Sequence, residues 1–207
     1  TPFLNGETLD FILNNPTIPI EEHIYYLTKI GTILEELKKI RKTTPLKELY
    51  IGDLHESNII INRFTKELNI IDLDSSRIGS SFSYTAKYLT PFSLLKHQDK
   101  YILNKVIGNG PGFIVPDQNT DIYCYIVMIL NYITDDLFKY FNIEDFYTYL
   151  NMLNDIGINQ ELLYIIEKIF TKEDNINPYE YLITLSTKDI TNTRESAKKL
   201  IKQKKDE

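Results

Sequence analysis

Three residues between Tyr50 and Ser76 have the types and spacing to do chemistry together: Asp53, Asn58 and Asp72, in the stretch YIGDLHESNIIINRFTKELNIIDLDSS. Asp53 and Asn58 stand five apart in the pattern D-x-x-x-x-N. The Asn58 amide offers a neutral oxygen and Asp72 an anionic one, both hard ligands of the kind that Mg2+ takes. Asp53 adds a carboxylate able to orient or deprotonate a hydroxyl. One acid facing a nucleophile, with an amide and a second acid holding metal, is a division of labour suited to phosphoryl transfer.

That chemistry needs the two ends of the stretch side by side, and the pattern between them predicts how. Ile59, Ile60 and Ile61 form a β-branched run suited to a buried strand. Asn62, Arg63, Thr65, Lys66 and Glu67 read as a turn, and Leu68 to Ile71 as a returning apolar strand that delivers Asp72 and Asp74. An antiparallel hairpin returns its exit to its entrance. Asp53 and Asn58 would therefore meet Asp72.

On these residues the chain resembles the protein-kinase-like superfamily. GDLHESNIII is similar to its catalytic loop and IIDLDSS to its metal-binding D-F-G segment. The resemblance implies Asp53 as the catalytic Asp, Asn58 and Asp72 as catalytic and metal-holding residues, and Asp74 as a further metal ligand. His55 and Asp121 would be structural supports. It also implies ATP and Mg2+ as cofactors, with Pro2, Phe3, Leu4, Asn58, Ile60 and Asp72 against the nucleotide. Asp121, opening an apolar helix, resembles the acid that opens the buried central helix of the kinase C-lobe. There it holds the catalytic-loop backbone by hydrogen bonds. From local sequence alone, Asp121 equally serves as compensation for a helix dipole.

The departures bear on the acceptor. Ile51 and Gly52 stand where protein kinases carry His and Arg, and Asp74 replaces the Gly of D-F-G. Gly-Asp-Leu-His before an Asn is closer to aminoglycoside and choline phosphotransferases. Without the Arg before Asp53, activation through a phosphorylated loop is not expected. The leading expectation is transfer of the γ-phosphoryl group of ATP to a hydroxyl of protein Ser or Thr. A small-molecule phosphotransferase is the alternative, and a pseudokinase binding module a third. No Gly-rich loop or strand Lys precedes the segment resembling a hinge, so the expectation is a C-lobe whose N-lobe is missing, inactive alone and partnered by that lobe.

Composition sets the class. The 207 residues are 43% apolar and 25% charged, as in a water-soluble globular protein. A net charge of −6 gives nucleic acid no basic face to bind. Cys124 is alone, which excludes an internal disulfide framework and fits a reducing cytoplasm. No run of eighteen apolar residues appears, so no membrane span is expected.

The predicted class is mainly α within an α+β whole: a helical C-lobe with one or two short hairpins. Residues 1–187 would form this lobe, with 1–8 hinge-like, 50–62 the catalytic loop and 68–91 the metal and activation segment. Residues 188–207 would be a charged helix or tail. Glu7 to Asp10 begins a short helical stretch. Ile20 to Lys42 is a strong helix whose apolar face runs through Ile24, Leu27, Ile30, Leu34, Leu37 and Ile40. Its basic end, Lys38 to Lys42, reads as a solvated terminus. Arg77 to Pro91 reads as an irregular loop. GNGPG at residues 108–112 is not a phosphate loop, since no strand leads into it and no Lys follows in place. Asn119 or Thr120 caps an all-round apolar helix to Thr134. Further helices are expected near 143–153, 160–170 and 178–185, then a terminal amphipathic helix or frayed tail from Asn192 using Ala197, Leu200 and Ile201.

Overall fold

The computed structural model describes residues 5–43, 50–51, 53–73, 82–84, 112–114, 120–135, 137–140, 146–170 and 187–206. Most of these are helical, and a small antiparallel sheet carries the candidate loop. No described helix is long and apolar enough to cross a membrane. Strand β1 (Glu7–Thr8) is followed by α1 (Leu9–Asn14), α2 (Ile20–Thr43), a 3-10 turn (Glu56–Asn58), β2 (Ile59–Asn62) and β3 (Glu67–Ile70). Strands β4 (Phe82–Tyr84) and β5 (Gly112–Ile114) come next. They precede α3 (Thr120–Thr134), a second 3-10 turn (Leu137–Tyr140), α4 (Phe146–Asp155), α5 (Gln160–Phe170) and α6 (Thr187–Asp206).

The hairpin forms where the alternation of apolar residues puts it. Strands β2 and β3 pair antiparallel from Ile59↔Ile70 to Asn62↔Glu67. Asn62 Oδ1 closes the turn by accepting from Phe64 N at 3.0 Å and Thr65 N at 3.1 Å, and Lys66 takes a left-handed φ of 60°. Ile59 and Ile61 are fully buried, while Ile60, on the opposite face, is half-buried. Glu7 and Thr8 do not open the helix as their sequence suggests. They pair with Ile61 and Ile60, so the hairpin becomes a three-stranded sheet. Gly6 permits that approach, because a Cβ there would fall 2.6 Å from Ile61 O. Thr8 then caps α1, its Oγ1 accepting from Phe11 N at 3.2 Å.

Helix α2 runs beneath the hairpin and is tied to its turn by charge. Glu22 accepts from Arg63 Nε at 2.9 Å, Arg63 Nη2 at 3.1 Å and Lys66 Nζ at 3.2 Å, and from Tyr26 Oη at 3.0 Å. The Arg63 guanidinium, then Lys66 and Tyr26, hold the Glu22 carboxyl down from an ordinary 4.5 to about 2, against the opposing effect of burial. A depressed folded pKa means the tie stabilises at pH above about 4.5 and is lost as pH falls toward 2. Glu22→Gln is expected to cost about 1 kcal/mol at pH 7, because the cations it holds are partly exposed. In a melting series from pH 7 to pH 2, the variant should lose less stability than the parent. Parallel curves would show that Glu22 does not pin the hairpin.

Helix α3 is buried on nearly every described face, through Ile122, Cys124, Tyr125, Ile126, Met128, Ile129, Leu130, Tyr132 and Ile133. Polar contacts join it to α2 in reverse chain order, His23 to Tyr132, Leu27 to Tyr125 and Arg41 to Asp121 among them. Tyr125 Oη donates to Leu27 O at 2.8 Å. His23 Nδ1 and Tyr132 Oη lie 2.8 Å apart. Burial raises the tyrosine to about 12 and lowers the histidine, so both are neutral, and the tautomer of the ring sets which of the two donates.

Several expectations change. Ile40 is 44% exposed, whereas Arg41 is buried. Counting from Leu34, residue 41 is seven positions on and returns to the apolar stripe; residue 40 falls about 120° off it. The end read as solvated is thus partly internal. Within the stretch read as an irregular loop, Phe82–Tyr84 is a strand paired antiparallel with Gly112–Ile114. The last helix starts at Thr187 rather than Asn192 and packs on α3 through Ile190, Thr193, Ala197 and Ile201. Leu200 is half-buried there. The helix expected over residues 178–185 lies outside the described residues.

Candidate functional site

The candidate loop begins at Tyr50 and Ile51, and a buried carboxylate holds it. Ile51 N donates to Asp121 Oδ1 at 3.1 Å and Oδ2 at 3.2 Å. Arg41 Nη2 forms an ion pair with Asp121 Oδ2, and the guanidinium lies 4.5 Å from the Tyr50 ring centroid. Asp121 is 1% exposed, so its charge is out of water and needs both partners. Two helices and the loop therefore share one buried ion pair. The geometry combines both sequence readings of Asp121: it opens a helix and it also grips the loop.

Beyond that anchor, fully buried Leu54 turns the chain into the 3-10 turn. Asn58 is buried, and its Nδ2 donates to Asp53 O at 3.0 Å while its N donates to His55 O at 3.0 Å. With Nδ2 committed, the amide oxygen faces away from the Asp53 carbonyl. Asn58 O accepts from Ile71 N at 2.8 Å, which fixes the residue immediately before Asp72. Asp72 is exposed and takes φ 55°, a left-handed conformation that only a minority of non-glycine residues adopt. The hairpin thus brings the chain at Asn58 and the chain entering Asp72 into direct contact.

His55 sits between the carboxylate and the turn. Its Nδ1 accepts from Ser57 N at 3.3 Å, which leaves the proton of the neutral ring on Nε2. Nε2 lies 3.7 Å from Asp53 Oδ2, an electrostatic contact longer than a direct hydrogen bond. The Cys124 thiol is pushed up first by burial, then by the charges of Asp121 and Asp53, so it remains protonated and inert.

Asp53, Asn58, Asp72, His55 and Asp121 are all described: Asn58 bonds the Asp53 carbonyl and Ile71 N, His55 lies beside Asp53, and Asp121 holds Ile51 N, while Asp72 is exposed at the exit of β3. Ile60 lies in mid-strand between Thr8 and Asn69. Pro2, Phe3, Leu4 and Asp74 lie outside the described residues. Among the described residues no group of three or more His, Cys, Asp and Glu side chains is arranged to hold a metal ion. The Asn58 amide oxygen and the Asp72 carboxylate are hard oxygen donors, and Mg2+ completes its octahedron readily with water and phosphate oxygens. The donor set therefore fits.

Arg41 is the site-supporting residue that sequence reasoning missed. Its signal was there: a buried acid requires a counter-charge, and of the four basic residues ending α2 Arg41 falls nearest in phase with Leu34. No protein-family model matches this chain, and no curated protein matches its sequence.

Proposed function

We propose that the chain is the C-terminal lobe of a protein-kinase-like phosphotransferase that moves the γ-phosphoryl group of ATP to a hydroxyl. The observation that carries this reading is the double use of Asn58. Its side chain ties down the Asp53 carbonyl while its backbone carbonyl ties down Ile71, next to a left-handed Asp72. One residue thereby couples the acid that would face the acceptor to the acid that would hold metal. Asp121 and Arg41, gripping Ile51, support the same reading by making the loop rigid before any ligand arrives.

When bound, ATP with Mg2+ supplies the phosphoryl group and neutralises its charge. Asp53 would orient the acceptor hydroxyl and take its proton as the new O–P bond forms and the bond to ADP breaks. Asn58 and Asp72 would hold the cation. His55 would keep the Asp53 carboxylate in place through its Nε2 proton. The acceptor is a protein Ser or Thr in the reading led by the sequence.

The test is binding of Mn2+·ATP, read by paramagnetic broadening of backbone amides in the full-length protein. Broadening is expected around Asn58 and Asp72. Asp72→Asn, which keeps the shape and tolerates the left-handed backbone, should weaken it at least about tenfold without moving Tm. Equal broadening in the variant would remove Asp72 as a ligand and the proposal with it.

A further inference from the structure

Helices α2, α3 and α6 meet at His23, Tyr132 and Arg194. His23 Nδ1 and Tyr132 Oη lie 2.8 Å apart, with the rings edge to face and their centroids 5.5 Å apart. Arg194 of α6 lays its guanidinium 4.4 Å from the Tyr132 ring centroid. Its Nη1 donates to Tyr132 O and its Nη2 to Asp135 Oδ1 at 3.0 Å. His23 is 6% exposed, and its Nε2 is buried with no hydrogen-bond partner among the described residues. The junction therefore costs least while the imidazole is neutral. An imidazolium donates from both nitrogens, so Nδ1 would need the Tyr132 oxygen as acceptor and Nε2 would hold a second charged N–H out of water.

Charges act on His23 from several packed elements. Arg194 on α6 opposes a second positive charge, and Asp135, at the end of α3, accepts from that guanidinium. Glu22, beside His23 on α2, favours the charged ring but is shared with Arg63 and Lys66 of the hairpin turn, and Arg63 opposes the charge. Glu21 on the same helix acts on the Tyr132 hydroxyl. From α1 the Ile12 backbone favours the charge, while the acid of that helix, Asp10, is exposed. Burial first, then Arg194, holds the ring below its ordinary 6.5. We propose that His23 is an acid-sensitive latch, and that its protonation drives Arg194 and α6 away from the α2–α3 pair. Helices α2 and α3 stay together because Tyr125 and the Arg41–Asp121 ion pair also join them. Helix α6 is opposed through Arg194, the residue that ties it to Tyr132 and Asp135. The opened junction takes up a proton that the closed one resists, so closure is complete above pH 6.5 and weakens as pH falls below it. None of this uses Asp53, Asn58 or Asp72, so it stands apart from the phosphotransfer reading.

The test is native-state hydrogen exchange at pH 7 and pH 5, with rates corrected for the intrinsic effect of pH. Protection of the α6 amides from Thr193 to Ala197 should fall at least about threefold between the two, while α2 amides near Leu27 hold. His23→Asn, neutral and able to meet Tyr132 Oη, should lose that pH dependence. Glu22, held at about 2, stays ionised over this range, and His55 and His97 are common to parent and variant. Arg194→Gln is the second test, in case His23→Asn does not fold. There α6 starts looser, but its protection should change less between pH 7 and pH 5 than in the parent. Unchanged protection in the parent, an equal fall in α2 and α6, or an undiminished fall in either variant would overturn the proposal.

Discussion

Asp121→Ala is expected to destabilise the protein by about 3–5 kcal/mol, lowering Tm by roughly 10 °C for a chain of this length. The substitution takes the Asp121 carboxylate away from the Arg41 guanidinium, which is 9% exposed, and from Ile51 N. The first loss dominates, since a buried charge that loses its ion pair costs more than one lost neutral hydrogen bond. Adding Arg41→Met to Asp121→Ala should recover part of the loss, because the buried cation is then gone. Hydrogen exchange supplies a local readout: the Ile51 amide should exchange much faster in Asp121→Ala than neighbouring helical amides accelerate. A change below about 0.5 kcal/mol in denaturant unfolding would mean that the pair is not holding the loop.

Asp53→Asn carries the largest expected effect on activity. In the full-length protein, turnover with ATP and an acceptor should fall 10²–10⁴-fold, the usual size for loss of a positioned general base and about 3–5 kcal/mol of barrier. Nucleotide affinity should hardly change, because the proposed cation ligands are Asn58 and Asp72. Folding should be nearly unaffected, since the backbone carbonyl of residue 53, rather than its carboxylate, anchors Asn58. Loss confined to kcat, with KM preserved, separates this role from a binding one. A variant with full turnover would show that Asp53 is not the group facing the acceptor, and the pseudokinase reading would gain.

Much of the hairpin was legible because its signals are local. β-branched residues in 59–61, a polar turn and a second apolar run specify two antiparallel strands, and pairing from Ile59↔Ile70 follows from their lengths. The central helix was legible for a similar reason, since apolar residues on every face leave it nowhere to lie but inside. What failed did so where the local signal was weak or pointed elsewhere. Glu7–Thr8 and Phe82–Tyr84 are too short to announce themselves as strands, and their partners stand 52 to 54 and 28 to 32 positions away. Arg41 was read as solvent-facing because basic residues usually end helices in water. Its burial depends on Asp121, eighty residues later. Helix phase pointed to it, whereas residue type pointed away.

By itself the sequence determined the residue types and spacings that make Asp53, Asn58 and Asp72 a candidate set, and the hairpin that joins their ends. Those are consequences of side-chain chemistry and of a period-two pattern within some twenty residues. Only the tertiary structure decided which cation pairs with Asp121 and how Glu22 pins the turn. Both depend on elements far apart in the sequence meeting, and long-range packing is set by the summed burial of the core rather than by any single stretch of chain.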